Sequence, residues 1–262
     1  MHVSLAQHPE PPGGDDRAFV TSNAVIVLDG ASAFAARDVP ASTYAEHLGS
    51  TMAALVDGSD EPLTGLLADA IKTTAKALDL TPGGRAPSST VAVVRKRADA
   101  SVDVLVLGDS QVSVPGEILR DDRLAPLASA ERTAYRTRLV DGHGYDDEHR
   151  RSLAALQAEQ LKHRNKSGGY WIAEADPAAA EHAITRRLSP DAAPWCVLAT
   201  DGAYKPMEHL RLDDWSSVSD ATSDELQALL LRCQDWESGD AEGRRLPRAK
   251  RHDDKTLVAV RL

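Results

Sequence analysis

Cysteine is scarce in this chain, and its scarcity excludes two kinds of small domain. Cys196 and Cys233 are the only cysteines among 262 residues, and they form no CxxC pair. Neither a zinc ribbon nor a disulfide framework is therefore available. The nine histidines include no HExxH pair, the zinc signature of many metalloproteases. Because so few cysteines suit a reducing compartment, we predict a cytoplasmic location.

Long apolar runs and an excess of positive charge are also missing. No apolar run approaches the roughly 20 residues that a membrane span requires, and the first residues do not have the basic and apolar character of a signal sequence. The formal net charge is −10, which argues against general nucleic-acid binding. We therefore expect neither a membrane nor a nucleic acid as a partner. The composition does not indicate an oligomeric state.

The chain does contain aspartates at the ends of apolar runs. Asp15 and Asp16 precede one run, Asp29 and Asp201 each end one, and Asp253 precedes the last. A buried strand that ends in aspartate places a carboxylate at a sheet edge that ions can reach. Carboxylates that converge there repel one another unless a cation binds them, and ligation by oxygen alone favours Mg²⁺ or Mn²⁺ over zinc. The pattern predicts a metal-dependent hydrolase.

Helix and strand patterns follow each other without regular alternation. Apolar residues at helical spacing predict helices at residues 42–56, 63–80, 150–161, 177–184 and 224–236. Apolar runs predict strands at residues 3–5, 18–20, 24–29, 90–96, 102–107, 111–114 and 256–261. Two packed sheets flanked by helices fit this order better than a doubly wound sheet. We predict an α+β fold, a four-layer α/β/β/α sandwich of two antiparallel sheets flanked by helix pairs, as one domain over residues 1–262.

A further stretch extends the acidic pattern. Residues 104–107 are apolar and lead into Gly108-Asp109-Ser110, and a Ser-Thr strand precedes them at residues 88–94. Taken in order, the stretches resemble the motifs of the metal-dependent protein phosphatases of the type 2C (PPM) class. The series runs from Asp15 to Val260, so the resemblance covers nearly the whole chain. It also implies a variable flap beside the active site, here at about residues 120–169, the most charged and least regular part of the chain.

The resemblance implies an enzyme that hydrolyses phosphoserine and phosphothreonine monoesters of a phosphorylated protein substrate. Two Mg²⁺ or Mn²⁺ ions would share and activate a water, so no protein nucleophile is needed. Asp29 and Asp201 would act in catalysis through these ions. A third, weaker ion can involve Asp109, whose alternative role is a turn within a β-hairpin. The metal ligands that the resemblance implies are Asp15, Asp16, Asp29, the carbonyl of Gly30, Asp109, Asp201 and Asp253.

Two positions depart from the family pattern. Pro11 stands where the family commonly has a phosphate-binding arginine, and Ala31 stands where a histidine usually follows the first Asp-Gly. Arg17 is close to the first position, but we expect it to be a surface charge. Ser32 or water would have to protonate the leaving group. These departures leave open a catalytically reduced pseudophosphatase that acts as a regulatory or interaction module.

Two other patterns allow different interpretations. Ser110 in Gly-Asp-Ser, with an Asp-x-x-His formed by Asp146 and His149, is similar to a serine esterase. Against this, the motif lies mid-chain, and an esterase leaves the other aspartates unexplained. The basic run at residues 244–251 is either a solvated loop that balances neighbouring aspartates or a receptor for an anionic substrate at the mouth of the site.

Overall fold

The computed structural model describes residues 1–31, 38–83 and 86–262. Ser32, one of the proposed proton donors, lies outside these residues. The described strands form two antiparallel sheets of five strands each. Sheet A has the order β1 (His2–His8), β10 (Lys255–Arg261), β9 (Trp195–Ala199), β6 (Gln111–Val114) and β7 (Glu117–Arg120). Sheet B has the order β2 (Arg17–Val20), β3 (Ala24–Leu28), β4 (Val91–Lys96), β5 (Val102–Leu107) and β8 (Ile184–Leu188).

The strand β3 shows why the central strands are apolar throughout. Val25 and Val27 belong to the core between the two sheets, together with Leu198 and Val258 of sheet A. Alternate residues such as Ile26 belong to the core on the opposite face of sheet B. Successive side chains of a strand point to opposite faces, so a strand covered on both faces is apolar at every position.

Helices cover the outer face of each sheet. On sheet B, α1 (Ala41–Val56) and α2 (Leu63–Ala77) bury Leu48, Met52 and Ile71. On sheet A, α5 (Asp201–Leu210), α6 (Trp215–Val218) and α7 (Ser223–Gly239) form the corresponding core. The layers therefore follow the order helices, sheet B, sheet A, helices. This confirms the predicted α/β/β/α sandwich.

The region predicted as a flap contains a helical hairpin between β7 and β8. Its helices are α3 (Ser129–Val140) and α4 (Asp147–Leu161). Tyr135 and Leu139 of α3 pack with Leu153 and Leu156 of α4 in a small core of their own. Ala249, from the basic run, packs against this core. The hairpin therefore contacts the loop that leads into β10.

Several elements differ from the sequence prediction. The segment predicted as a helix at residues 177–184 is a 3₁₀ helix, Pro177–His182, followed by the edge strand β8. Helices α3 and α5 were not predicted. Within residues 1–31, 38–83 and 86–262, no helix combines the length and the apolar character needed to cross a membrane.

Candidate metal centre

The register of sheet B brings three of the predicted aspartates to one end of that sheet. Arg17 of β2 pairs with Leu28 of β3, so Asp16 and Asp29 lie side by side just beyond the paired strands. The end of β5 pairs with the start of β4, and the start of β4 lies beside the end of β3. Asp109, which follows β5, therefore reaches the same end.

Sheet A contributes the other aspartates in the same way. Ala199, the last residue of β9, pairs with Leu257 near the start of β10 and with Gln111 at the start of β6. Asp201 follows β9 and Asp253 precedes β10, so both lie at this end of sheet A. The strand ends of both sheets thus place their carboxylates in one region.

Asp16 connects the two sheets. The hydroxyl groups of Thr200 and Thr256 each donate a hydrogen bond of 2.8 Å to its Oδ2. The other oxygen, Oδ1, is buried and has no hydrogen-bond partner among the described residues. The pKa of Asp16 is raised from 3.8 to about 8. Burial raises it most, the two threonine hydrogen bonds lower it, and the charges of Asp254 and Asp253 also raise it. A buried carboxylate oxygen without a partner is costly, and a cation would satisfy it.

The backbone of Asp29 is held by hydrogen bonds to two hydroxyl groups. Its N–H donates to the hydroxyl of Thr90 at 3.2 Å, and its carbonyl accepts from the hydroxyl of Ser89 at 2.9 Å. Burial holds the pKa of Asp29 well above its usual range, and the charges of Asp16 and Asp201 add to the effect. The charge of Asp201 on Asp29 shows that these two carboxyl groups lie near each other, where the resemblance implies a shared ion.

Two lysine side chains neutralise the remaining carboxylates. Lys205 Nζ lies 2.5 Å from Asp201 Oδ2, one helical turn along α5. Lys250 Nζ, from the basic run, lies 2.7 Å from Asp253 Oδ1. Burial would raise the pKa of Asp201, but the charges of both lysines hold it below its usual range. Each ammonium group thus forms an ion pair with a carboxylate that was predicted to bind a metal.

Asp109 lies on a connection between the sheets. Residues 108–110 lead from β5 of sheet B to β6 of sheet A, so the expected β-hairpin is wrong. Gly108 has φ +85°, a backbone conformation that favours glycine. The carbonyl of Asp109 accepts a hydrogen bond of 3.0 Å from Tyr204. Burial and the charge of Asp201 raise the pKa of Asp109, against the opposing charge of Lys205.

Two glycines allow the acidic segments to approach one another closely. A Cβ on Gly202 would lie 2.0 Å from the carbonyl oxygen of Asp254, and one on Gly30 would lie 2.8 Å from that of Asp15. The N–H of Asp15 in turn donates to Asp254 Oδ2 at 2.6 Å. A side chain at either glycine would therefore separate the segments that carry the carboxylates.

The residues suit a hard divalent cation in charge and donor type, although they are not arranged as a finished ligand shell. Within the described ranges, no three Asp, Glu, His or Cys side chains are grouped so that they could hold a metal ion. Carboxylate oxygens are the donors that Mg²⁺ and Mn²⁺ prefer, and Asp16 Oδ1 has no protein partner. The two lysines supply positive charge where these cations would otherwise act. The ligand set implied by the sequence stays a prediction.

Comparisons with known proteins identify the fold. No family model matches the chain, and no curated protein matches it significantly. Among solved structures, the PPM Ser-Thr phosphatase MsPP from Mycobacterium smegmatis, in complex with cacodylate, is similar at 16% identity and a TM-score of 0.57, over 98% of this chain and 97% of that one. The fold is that of the PPM-type Ser/Thr phosphatases.

Two further structures agree with this PPM fold. The serine/threonine phosphatase Stp1 from Staphylococcus aureus is 11% identical, with a TM-score of 0.58 over 100% of this chain and 95% of that one. The serine/threonine phosphatase PstP/Ppp from Mycobacterium tuberculosis is 12% identical, with a TM-score of 0.52 over 98% and 96%. At such identities the likeness is one of fold. It confirms the architectural part of the resemblance stated from the sequence.

Arg17 differs from its prediction as a surface charge. Only 8% of the residue is exposed. Its Nε lies 2.9 Å from Glu46 Oε2, and its Nη1 donates to the carbonyls of Gly14 and Asp16. Arg17 therefore positions the loop that carries Asp16. Because its Nε and Nη1 are engaged there and the residue is buried, we do not assign Arg17 the role of the phosphate-binding arginine missing at Pro11.

The residues proposed for an esterase are not arranged as a catalytic triad. Ser110 is fully buried, and its Oγ lies 2.6 Å from the hydroxyl of Thr90. His149 packs edge-on against Tyr135, and its Nε2 lies 2.8 Å from the carbonyl of Ala249. Asp146 caps the N-terminus of α4 by accepting from the backbone N–H of His149. These contacts explain the Asp-x-x-His pattern as a helix start.

The basic run at residues 244–251 pairs with neighbouring aspartates, which was one of the two roles considered for it. Arg248 is mostly buried and binds Asp240 Oδ2 at 2.9 Å, which anchors the loop to the end of α7. Lys250 instead lines a cleft of about 190 Å³ together with Asp29, Asp201 and Asp253. One side chain of the run therefore faces the candidate centre.

Sequence reasoning missed Lys205, Thr200 and Thr256. Lys205 had a readable signal, because it lies four residues after Asp201 at the start of a helix, the spacing of a helical ion pair. Thr200 and Thr256 had none, because their contact with Asp16 depends on how the two sheets pack.

Proposed function

We propose that the chain is a metal-dependent phosphatase that hydrolyses phosphoserine and phosphothreonine monoesters in a phosphorylated protein substrate. The PPM fold supports the reaction class. The observation that carries the proposal is the convergence of carboxylates from both sheets around Asp16, whose Oδ1 is buried and unpartnered. A buried carboxylate oxygen without a partner, close to further carboxyl groups, is a site for cations.

The ligands that we propose for two ions are Asp15, Asp16, Asp29, the carbonyl of Gly30, Asp201 and Asp253. When bound, Mg²⁺ or Mn²⁺ would supply a Lewis acid that activates water and neutralises phosphoryl charge. Thr200 and Thr256 keep Asp16 Oδ2 engaged, so that Oδ1 faces the ion. Gly202 allows the segment that carries Asp253 to approach Asp201.

Lys205 distinguishes this centre from one with three ions. Its ammonium group binds Asp201, and its charge also acts on Asp109. A third ion that used Asp109 and Asp201 would have to displace it. We therefore propose that Lys205 supplies the positive charge at this position and that two ions bind.

Lys250 offers a substitute for the phosphate-binding arginine that is absent at Pro11. It lines the cleft beside Asp29, and its pairing with Asp253 leaves about 30% of the side chain exposed. With Asp253 serving as a metal ligand, the ammonium group of Lys250 would be available to bind a phosphoryl oxygen. We assign Lys250 this positioning role.

A metal-binding pseudophosphatase remains the second candidate. The ammonium groups of Lys205 and Lys250 satisfy two carboxylates without metal. Pro11 and Ala31 remove two groups that the family commonly uses for phosphate binding and proton donation. Such a protein would bind phosphorylated partners as a regulatory or interaction module without turnover.

One set of assays separates the two candidates. We expect hydrolysis of p-nitrophenyl phosphate and of a phosphothreonine peptide in Mn²⁺ or Mg²⁺, and none in EDTA. Asp29→Asn and Asp201→Asn should each lower turnover at least about 100-fold and weaken Mn²⁺ binding in calorimetry. The control Asp57→Asn alters an exposed carboxylate that accepts a hydrogen bond from Ser22. It should change neither turnover nor Mn²⁺ binding. Full activity in EDTA would exclude the metal mechanism, and metal binding without turnover would favour the pseudophosphatase.

A further inference from the structure

A second cleft adjoins the candidate centre on the side of the helical hairpin. It has a volume of about 250 Å³ and shares Asp109 and Leu124 with the cleft that contains Asp29. Three arginines line it: Arg120 at the end of β7, and Arg132 and Arg136 one turn apart on α3. Asp109 and Leu124 belong to the lining of both clefts, so the two clefts are direct neighbours.

Arg120 is already paired. Its Nε lies 3.0 Å from Asp122, its Nη1 lies 3.2 Å from Glu208, and its guanidinium stacks over the ring of Tyr204. Asp121, the other acidic residue on this wall, lies 2.5 Å from Arg123. Arg120 is thus fully engaged by two carboxylates and is a structural part of the wall.

Arg132 and Arg136 are not paired in this way. Within the part of the chain that the structure describes, neither has a carboxylate within ion-pair distance. Arg132 donates to the carbonyls of Leu124 and Leu127 at 3.3 and 3.5 Å, and its Nε is buried without a partner. Arg136 makes one long hydrogen bond, 3.4 Å, to the hydroxyl of Tyr135.

Four acidic and four basic side chains line this cleft, and among the described residues Arg132 and Arg136 are the two basic ones that no carboxylate pairs with. Asp109 is opposed by Arg132, Arg136 and Lys205, and Lys205 is itself paired with Asp201. Two guanidinium groups one helical turn apart line the same cleft, and guanidinium N–H donors bind the oxygens of a phosphate or carboxylate. A phosphoryl group carries a charge of about −1.5 to −2 near neutral pH, which matches two unpaired arginines.

We propose that Arg132 and Arg136 form an anion subsite for a second anionic side chain of the substrate, a phosphorylated residue or a carboxylate close to the phosphoserine or phosphothreonine that is hydrolysed. The inference rests on the proposed function, because the first phosphoryl group occupies the cleft at Asp29. Extended residues advance about 3.3–3.6 Å each, so the second group belongs to a nearby residue of the same peptide. The subsite makes the enzyme selective for clustered phosphorylation or acidic sequences.

Three peptides with one phosphothreonine test this subsite. Two residues away they carry phosphoserine, glutamate or alanine. With the wild-type protein and Mn²⁺, kcat/KM should be at least about tenfold higher for one or both anionic peptides than for the alanine peptide, equivalent to about 1.4 kcal/mol. The ranking of the phosphoserine and glutamate peptides identifies the source of the second anion. Equal values for all three peptides would overturn the proposal.

The double variant Arg132→Gln/Arg136→Gln assigns the preference to these residues. It should lower kcat/KM for the anionic peptides to the value for the alanine peptide and leave the hydrolysis of p-nitrophenyl phosphate unchanged. The matched control Arg150→Gln/Arg151→Gln removes two exposed arginines of α4, which pair with Asp147 and Glu148, and should keep the preference. A preference that survives in the Arg132 and Arg136 variant would contradict the subsite.

Binding measurements separate failure of this inference from failure of the proposed function. If no peptide is hydrolysed, the phosphatase proposal fails, but calorimetry still measures binding of the doubly phosphorylated peptide. The subsite then predicts at least about tenfold weaker binding to the double variant than to the control variant. Equal binding by both variants would overturn the subsite whether or not turnover occurs.

Discussion

The hydroxyl of Thr200 and the carboxylate of Asp16 are joined by a hydrogen bond of 2.8 Å, across the boundary between the two sheets. Asp16 directly precedes β2 of sheet B, and Thr200 directly follows β9 of sheet A. Thr256 repeats the contact from the start of β10, and its N–H donates to the same Thr200 hydroxyl at 2.9 Å. At this end of the sandwich, the carboxylate of Asp16 therefore links the two sheets. The hydrogen bonds from the two threonines fix its orientation.

The raised pKa of Asp16 predicts how stability of the metal-free protein depends on pH. The value rises from 3.8 to about 8, mainly through burial. The folded protein thus retains a proton that the unfolded chain loses, and the associated stability is lost as the pH rises from about 4 through about 8. In EDTA, the Tm of the wild type should fall more steeply over this range than that of Asp16→Asn.

The exposed-site variant Asp57→Asn serves as the control for this pH series and should follow the wild-type curve. Saturating Mn²⁺ should reduce the difference between wild type and control at high pH, because a bound cation replaces the proton. Parallel curves for wild type and Asp16→Asn would mean that Asp16 does not retain its proton.

Lys205→Ala should change the number of bound ions. The substitution removes the ammonium group beside Asp201 and its charge near Asp109. We expect calorimetry and metal analysis to give about two Mn²⁺ ions for the wild type and about three for the variant. The control Lys162→Ala removes an exposed lysine that pairs with Glu159 at the same distance, 2.5 Å. Equal numbers of bound Mn²⁺ ions in all three proteins would show that Lys205 does not take the position of a third ion.

Ser110→Ala tests the esterase alternative. The hydroxyl of Ser110 is buried on Thr90, so its loss should cost about 1 kcal/mol of stability and lower phosphatase turnover by less than about tenfold. Deleting a serine nucleophile would instead lower the rate by about 10⁴-fold or more. Ser113→Ala, another buried serine with a side-chain hydrogen bond, controls for packing. A folded, metal-loaded and inactive Ser110→Ala protein would contradict the phosphatase mechanism.

The sandwich could be predicted from the sequence because its central strands are buried on both faces. β3 is apolar at all five positions, and Asp29 follows it immediately. Helix α3 was missed because it buries only Tyr135 and Leu139, which leaves too little apolar periodicity to detect. β8 was missed because it is an edge strand whose central residues, including Arg186, are exposed.

The candidate centre was predicted in composition, while its internal contacts were not. Aspartates at strand ends are visible in the sequence, and the register brings Asp16 and Asp29 together as expected. The pairing of Lys250 with Asp253 depends on the conformation of the basic run, which the contact of Arg248 with Asp240 fixes. That contact joins a loop to the end of a helix, so neither periodicity nor motif spacing indicates it.

The central claim is that the converging aspartates bind divalent cations, and anomalous diffraction from a crystal soaked in Mn²⁺ tests it most directly. The account predicts two anomalous peaks, with Asp16 Oδ1, Asp29, Asp201 and Asp253 among the ligands and Lys250 displaced from Asp253. The absence of anomalous signal, with Lys205 still on Asp201 and Lys250 still on Asp253, would contradict it.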